Sequence, residues 1–175
     1  ILTERPSFTP GFEAEITGGN FGAWGVAGSV TGGITDNLAG RLYVAARQRE
    51  GFYDVNTGVG PRTTTDDQNQ DFWTVRGQLL FLPSDNVTIR AIADYSRREE
   101  YCCTAVQIRS GPTAALVNAL AGGNGVRPAV TGGSFGPAPG YQYLPFSRTG
   151  FTNRDTGQEI EDMGLSVQAD IDLEA

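Results

Sequence analysis

The sequence predicts an all-β fold, namely about six antiparallel strands of a transmembrane β-barrel. Apolar and polar side chains alternate along several long runs of the chain, and alternate residues of a strand face opposite sides. Several runs reach about ten residues, the length that a tilted strand needs to cross a bilayer. Glycine is frequent, at 24 of 175 residues, which favours strands and turns over helices.

The clearest alternation is the hairpin predicted between Phe72 and Glu99. One parity of its first arm is apolar and comprises Trp73, Val75, Gly77, Leu79 and Phe81. The apolar parity of its second arm comprises Val87, Ile89, Ala91, Ala93 and Tyr95. The intervening run Pro83-Ser84-Asp85-Asn86 predicts a tight turn, because proline presets φ and the polar side chains bond to their own backbone.

Four further strands are predicted on the same basis, over residues 12–18, 21–34, 38–52 and 162–173. Each carries apolar residues on one parity and small or polar residues on the other. The turn signal Gly18-Gly19-Asn20 separates the first two of these strands. Together with the hairpin, they make six strands in an up-and-down order.

The predicted connections differ in length at the two ends of the strands. Residues 35–37 and 83–86 form short turns, whereas residues 54–71 and 100–158 form long loops at the opposite end. The first connection, at residues 18–20, is short although it lies at the long-loop end, and it is the one departure from this asymmetry. Short turns on one rim and long extracellular loops on the other are typical of outer-membrane barrels. Within the longer loop, residues 112–121 predict a short helix that begins near a proline and ends at a glycine pair.

The polar parity of the predicted strands is strongly charged. Its charged members include Glu13, Glu15, Arg41, Arg47, Arg76, Arg90, Asp94 and Asp170. In a barrel these side chains face water or a polar plug. A soluble sheet with one solvated face produces the same alternation and is the alternative interpretation.

Composition excludes several classes of function. The net charge is -7 and histidine is absent, which disfavours nucleic-acid binding and removes the commonest general base and metal ligand. The sequence contains no run of about 18 apolar residues, so it predicts no transmembrane helix. No catalytic motif or metal-ligand spacing is present, so we expect neither enzymatic activity nor a cofactor. The acidic residues Asp66, Asp67 and Asp71 suit a hard cation, although a solvated loop has the same composition.

Six residues are candidates for ligand binding: Arg47, Arg49, Tyr53, Tyr101, Tyr141 and Tyr143. The arginines suit an anionic ligand, because guanidinium groups match carboxylates and phosphates. Pairing with barrel or plug carboxylates is the alternative for them. The tyrosines of the long loop, with Phe146, could stack on a ligand or pack within the loop itself.

The only cysteines, Cys102 and Cys103, are adjacent. They allow a strained vicinal disulfide, pairing with cysteines outside this sequence, or free thiols. An oxidising location favours a disulfide of some kind.

Several stretches resemble the TonB-dependent receptors of Gram-negative outer membranes. The run ILTERP at residues 1–6 is similar to the end of the family's plug domain, with Glu4 where lysine is usual. Residues 11–53 resemble the first three barrel strands, residues 73–100 the following hairpin, and residues 162–175 the next strand. The start at Ile1, without methionine or a signal peptide, indicates an internal piece of a longer protein.

The resemblance implies a plug end and linker at residues 1–10 and the N-terminal part of a barrel at residues 11–175. The complete barrel would have about 22 strands and a plugged lumen. The family implies a location in the outer membrane, contact with its lipid, and active uptake of a scarce ligand such as a ferric siderophore, a vitamin or a carbohydrate. It also implies coupling to the TonB complex through a plug region and TonB box outside this sequence. A passive porin, another outer-membrane barrel and a soluble secreted β-domain are the alternatives.

Overall fold

A computed structural model describes residues 4–57, 60–104, 148–152 and 154–173. Its strands are β1 (Gly11–Gly18), β2 (Trp24–Thr35), β3 (Leu38–Arg49), β4 (Tyr53–Asn56), β5 (Asp66–Asp67), β6 (Gln70–Ser84), β7 (Val87–Tyr101), β8 (Thr149–Phe151) and β9 (Gly157–Ile171). All regular structure in these ranges is β-strand, which confirms the predicted all-β class. The same ranges contain no helix of the length and apolarity that crossing a membrane requires.

The chain divides into two compact units. The first unit comprises Ile1–Gln48, Asp71–Glu99 and Glu159–Ala175. The second unit comprises Arg49–Gln70 and Glu100–Gln158. The first therefore contains most of the long strands, and the second contains the segments that were predicted as long loops.

The first unit is a six-stranded antiparallel sheet with the strand order β1-β2-β3-β6-β7-β9. Every strand lies beside its predicted neighbour, and the sheet is open, with β1 and β9 at its edges. The register keeps residues of one parity together, so that Val30 pairs with Phe12 on one side and with Leu42 on the other. The predicted antiparallel order is confirmed, and the apolar parities of neighbouring strands share a face.

The observed strand bounds differ from the predicted ones at several ends. Strand β2 begins at Trp24 and not at Phe21, because Phe21 and Gly22 adopt positive φ angles of 60° and 61° in the preceding turn. Strand β3 ends at Arg49 and not at Phe52. Strand β9 begins at Gly157, five residues before the predicted start at Asp162. The charged and polar run before Asp162 lacks the apolar alternation that the prediction required.

The second unit contains a small sheet with the order β5-β4-β8. Strand β4 is antiparallel to β5 and parallel to β8. The predicted loop at residues 54–71 therefore contains regular structure, and so does the end of the loop at residues 100–158. The helix predicted at residues 112–121 lies outside the described residues.

Candidate functional site

One face of the six-stranded sheet is apolar and exposed. Its large side chains, all at least a third exposed, include Phe12, Ile16, Trp24, Val26, Val30, Ile34, Leu42, Val44, Trp73, Leu79, Phe81, Met163, Leu165, Val167 and Ile171. Phe12 is 83% exposed and Leu165 is 80% exposed. Monomeric soluble proteins rarely expose contiguous apolar patches larger than about a few hundred Å². We therefore expect this face to be covered, either by a partner or by an apolar solvent.

The opposite, polar face is the more covered of the two. Its Gln78 is only 5% exposed and Ser29 only 6% exposed. A segment at residues 4–9, called the strap below, crosses this face. The strap is bonded to β2, where the Ser7 amide donates to Thr31 Oγ1 at 2.8 Å and the Gly33 amide donates to the Phe8 carbonyl at 3.1 Å.

Arg41 joins the strap to the polar face. Its guanidinium lies 2.5 Å from a Glu4 carboxylate oxygen and 3.0 Å from a Glu13 carboxylate oxygen. It also donates to Ser29 Oγ at 2.9 Å. The Arg41 side chain is 9% exposed, whereas both glutamates are more than half exposed. The largely covered arginine is thus paired with carboxylates that keep their contact with solvent.

Gln78 continues this polar network along the same face. Its side-chain nitrogen donates to the Glu4 carbonyl at 3.2 Å, and its oxygen accepts a hydrogen bond from Arg90. Nearby in the same sheet, Arg76 lies 3.4 Å from Asp94, its cross-strand partner. Most charges predicted for the polar parity are therefore matched by opposite charges or amides, as expected for a face that polypeptide partly covers.

The apolar face ends at an aromatic and charged border. The Trp73 and Tyr95 rings lie 5.1 Å apart, and the Tyr95 hydroxyl donates to Glu161 at 3.0 Å. Two residues beyond Tyr95 on the same parity, Arg97 pairs with three carboxylates, those of Glu99, Glu159 and Glu161. Aromatic side chains followed by charges mark the level at which an apolar environment would give way to water.

The second unit contains a buried ion pair. Arg62 is 2% exposed and Asp67 is fully buried, and their side chains meet at 3.0 Å. Asp67 also accepts hydrogen bonds from the hydroxyls of Thr104 and Thr156. Arg62 further donates to the carbonyls of Thr64 and Asp66, each at 2.8 Å. These bonds join three stretches that are far apart in sequence, and they satisfy a charge pair that is costly to bury.

Asp67 was predicted as part of a cation site or a solvated loop, but the structure places it in this ion pair. Asp66 instead accepts a hydrogen bond from the Gly51 amide at 3.0 Å. Within the part of the chain that the structure describes, no group of three or more acidic, cysteine or histidine side chains is arranged to hold a metal ion.

The structure joins Cys102 and Cys103 in a vicinal disulfide. This was one of the three states that the sequence allowed. Cys103 is exposed and has a φ angle of 78°. The Cys102 amide donates to the Thr156 carbonyl at 3.3 Å, so the disulfide turn is attached to the segment that precedes β9.

The predicted ligand-binding arginines have different surroundings. Arg47 is exposed on the polar parity of β3 in the first unit, where it is accessible to a ligand. Arg49 belongs to the second unit and donates to the Gln68 carbonyl at 2.6 Å. Its guanidinium also lies 5.1 Å from the centre of the Phe52 ring. Arg49 is thus engaged within its own unit.

The described tyrosines also have internal partners. Tyr53 is half-buried, with its ring 4.9 Å from that of Phe52. The Tyr101 ring lies 5.5 Å from the Arg62 guanidinium, and the Tyr101 amide donates to Asn69 at 2.6 Å. Tyr141 and Tyr143 lie outside the described residues, as does Phe146.

Arg62, Thr104 and Thr156 were missed as site-forming residues. No local pattern distinguishes them, because each lies in a polar stretch without periodicity. The strap was predicted as the end of a plug domain and a linker, without partners, and its bonds to Arg41 and Gln78 depend on side chains more than 35 positions away in the sequence. No protein-family model, curated protein or solved structure matches this chain.

Proposed function

We propose that this chain forms part of the barrel wall of a TonB-dependent receptor in the outer membrane of a Gram-negative bacterium. The receptor takes up a scarce ligand, such as a ferric siderophore, a vitamin or a carbohydrate, and draws energy from contact with the TonB complex. In this proposal the apolar face of the sheet contacts lipid, and the polar face lines a lumen that holds a plug.

The exposed apolar face is the observation that carries the proposal. Contact of this apolar face with water is unfavourable. Contact with the hydrocarbon of a bilayer is favourable and leaves the sheet intact. From Trp73 to Phe81, β6 makes eight steps of about 3.4 Å, or about 27 Å along the strand. A tilt of about 40° reduces this to about 21 Å, close to the apolar band of about 25 Å on outer-membrane barrels.

The strand connections and the strap also support the proposal. Strands β2 and β3 are joined by two residues, as are β6 and β7. Within the same sheet, the connections from β3 to β6 and from β7 to β9 are much longer and leave from the other end of the sheet, as in outer-membrane barrels. The strap lies on the polar face, where the resemblance expects the end of a plug domain.

Two neighbouring substitutions test the membrane part of the proposal. Leu165 belongs to the apolar face and Ser166 to the polar face, and both side chains are exposed. In lipid, Leu165→Arg should destabilise the folded protein by about 2–4 kcal/mol, because the free-energy cost of a charged side chain on the lipid-facing side is greatest near the bilayer midplane. Ser166→Arg is the matched control and should have little effect. Folding of the complete reading frame into lipid vesicles, followed by heat-modifiable gel mobility, measures the difference.

A soluble sheet gives a different result in the same experiment. Arginine at either exposed position would then contact water, and neither substitution would change folding by more than about 0.5 kcal/mol. Equal tolerance of the two variants therefore rejects the membrane location.

A transport assay separates the receptor from a passive porin. Cells that express the complete reading frame are given iron-loaded siderophores, cobalamin or maltodextrins, with and without a protonophore. An energised receptor should accumulate one of these probes above its external concentration and lose this ability with the protonophore or without TonB. Equilibration that neither treatment changes would identify a porin.

A further inference from the structure

The vicinal disulfide lies next to the buried ion pair of the second unit. Strand β7 ends at Tyr101, Cys102 and Cys103 follow it, and the next residue is the buried Thr104. Thr104 donates a hydrogen bond to the fully buried Asp67. A single short turn thus connects the exposed Cys103 to the buried ion pair.

The backbone of Cys103 is held in an unfavourable conformation. Its φ angle of 78° lies in the left-handed region, which side chains other than glycine rarely adopt. The bond between Cys102 and Cys103 closes a small ring and restricts this turn. Without that restriction, the chain gains by returning Cys103 to a negative φ angle, and such a return moves the adjoining Thr104.

We propose that the Cys102–Cys103 bond is a reducible site for an external dithiol, and that its redox state controls the anchoring of Thr104 on Asp67. A thiolate of the dithiol attacks the sulfur of Cys103, an exposed residue, and expels the Cys102 thiolate, which gains a proton. The second thiol of the reagent then displaces Cys103. Two electrons and two protons pass to the protein, which ends with two thiols, and the reagent ends as a disulfide.

Reduction of this turn weakens the bonding of the buried ion pair. Asp67 retains Arg62 and Thr156 after Thr104 moves, but it loses one of its two hydroxyl donors. Loss of a donor to a buried charged group weakens the surrounding structure. Amides that report on the change are those of Gln68 and Tyr101, since Gln68 donates to the Tyr101 carbonyl at 2.8 Å and Tyr101 donates to Asn69.

Hydrogen exchange of the complete protein in detergent tests the proposal, with dithiothreitol as the probe. Alkylation and mass spectrometry first count the thiols released without denaturant. On reduction, amide exchange at residues 67–69 and 101–104 should increase about tenfold, while exchange at residues 75–81 of the sheet should not change. Unchanged exchange at both sites after complete alkylation would overturn the proposal, as would failure of excess dithiol to release thiols.

A pair of variants separates the effect of the backbone from that of the bond. Cys102→Ser/Cys103→Gly removes the bond but permits the left-handed turn, whereas Cys102→Ser/Cys103→Ala disfavours it. The alanine variant should exchange about tenfold faster than the glycine variant at residues 101–104. Equal exchange in the two variants would show that the Cys103 conformation does not control the anchor. The comparison of oxidised and reduced wild-type protein remains decisive if a variant does not fold.

Discussion

The six-stranded sheet and the second unit differ in what they bury, since the sheet exposes apolar side chains and the second unit buries a charged pair. The sheet exposes its large apolar side chains and uses its more covered face for polar groups such as Gln78 and Ser29. The second unit buries the Arg62–Asp67 pair completely. The sheet thus leaves its large apolar side chains uncovered in this chain, whereas the second unit satisfies its buried polar groups by internal pairing.

Removal of detergent should have the largest effect on the protein, because it acts on the apolar face of the sheet and not on the polar groups of the second unit. The exposed apolar face should cause the chain to associate, so that monomer is lost from solution. Light scattering and size-exclusion chromatography, at detergent concentrations above and below micelle formation, measure this loss. A monodisperse monomer that unfolds cooperatively in detergent-free buffer would show that the sheet does not need lipid.

Asp67→Ala should strongly destabilise the second unit. It leaves the Arg62 guanidinium buried without its carboxylate partner, which should destabilise this unit by about 3–5 kcal/mol. Asp54→Ala, at an exposed position of β4, is the matched control and should stay within about 0.5 kcal/mol. Exchange of the Gln68 amide reports the local stability. Equal effects of the two substitutions would mean that the ion pair does not hold this unit together.

Gly51→Ala should be the next most damaging. A Cβ atom at Gly51 would lie 2.6 Å from the Asp67 carbonyl oxygen and 2.7 Å from its amide nitrogen. Backbone atoms can shift only at a cost in free energy, so we expect Gly51→Ala to lower the stability of the second unit by about 1–3 kcal/mol. Gly77 in β6 has no atom within 4 Å of the corresponding position. Gly77→Ala should therefore be neutral or slightly stabilising, and a similar loss in both variants would contradict the contact at Gly51.

Arg41→Met should have a smaller effect than Asp67→Ala or Gly51→Ala. It removes the pairing with Glu4 and Glu13 but retains an apolar side chain of similar length. Because both glutamates keep their contact with solvent, we expect a loss of about 1 kcal/mol or less, confined to the strap. Faster exchange of the Ser7 amide measures it. Arg97→Met, on the other face of the sheet, is the control and should leave that amide unchanged.

The sheet was largely predictable because alternation is a local property of the sequence. The parity of Trp73, Leu79 and Phe81 predicted the face on which they lie, and the turn residues predicted the hairpins that place strands side by side. The start of β9 was not predictable in the same way, because the polar residues before Asp162 carry no alternation. That segment is a strand because β7 lies beside it.

The candidate site was predictable only in part. The sequence indicated that Arg47 lies on the polar parity of β3, and it does. It did not indicate that Arg49 would bond to Gln68 or that the Tyr101 ring would lie near Arg62. Such partners come from distant parts of the chain, and a polar side chain in a loop has no local pattern that distinguishes burial from solvation.

By itself, the sequence determined the β class of this protein, the order of its long strands and the division of each strand into an apolar and a polar parity. These properties follow from the geometry of an extended backbone, in which successive side chains point to opposite sides. Only the tertiary structure decided that the strap crosses the polar face and that Arg62 and Asp67 are buried together. Contacts of this kind depend on how the folded chain brings distant residues within bonding distance.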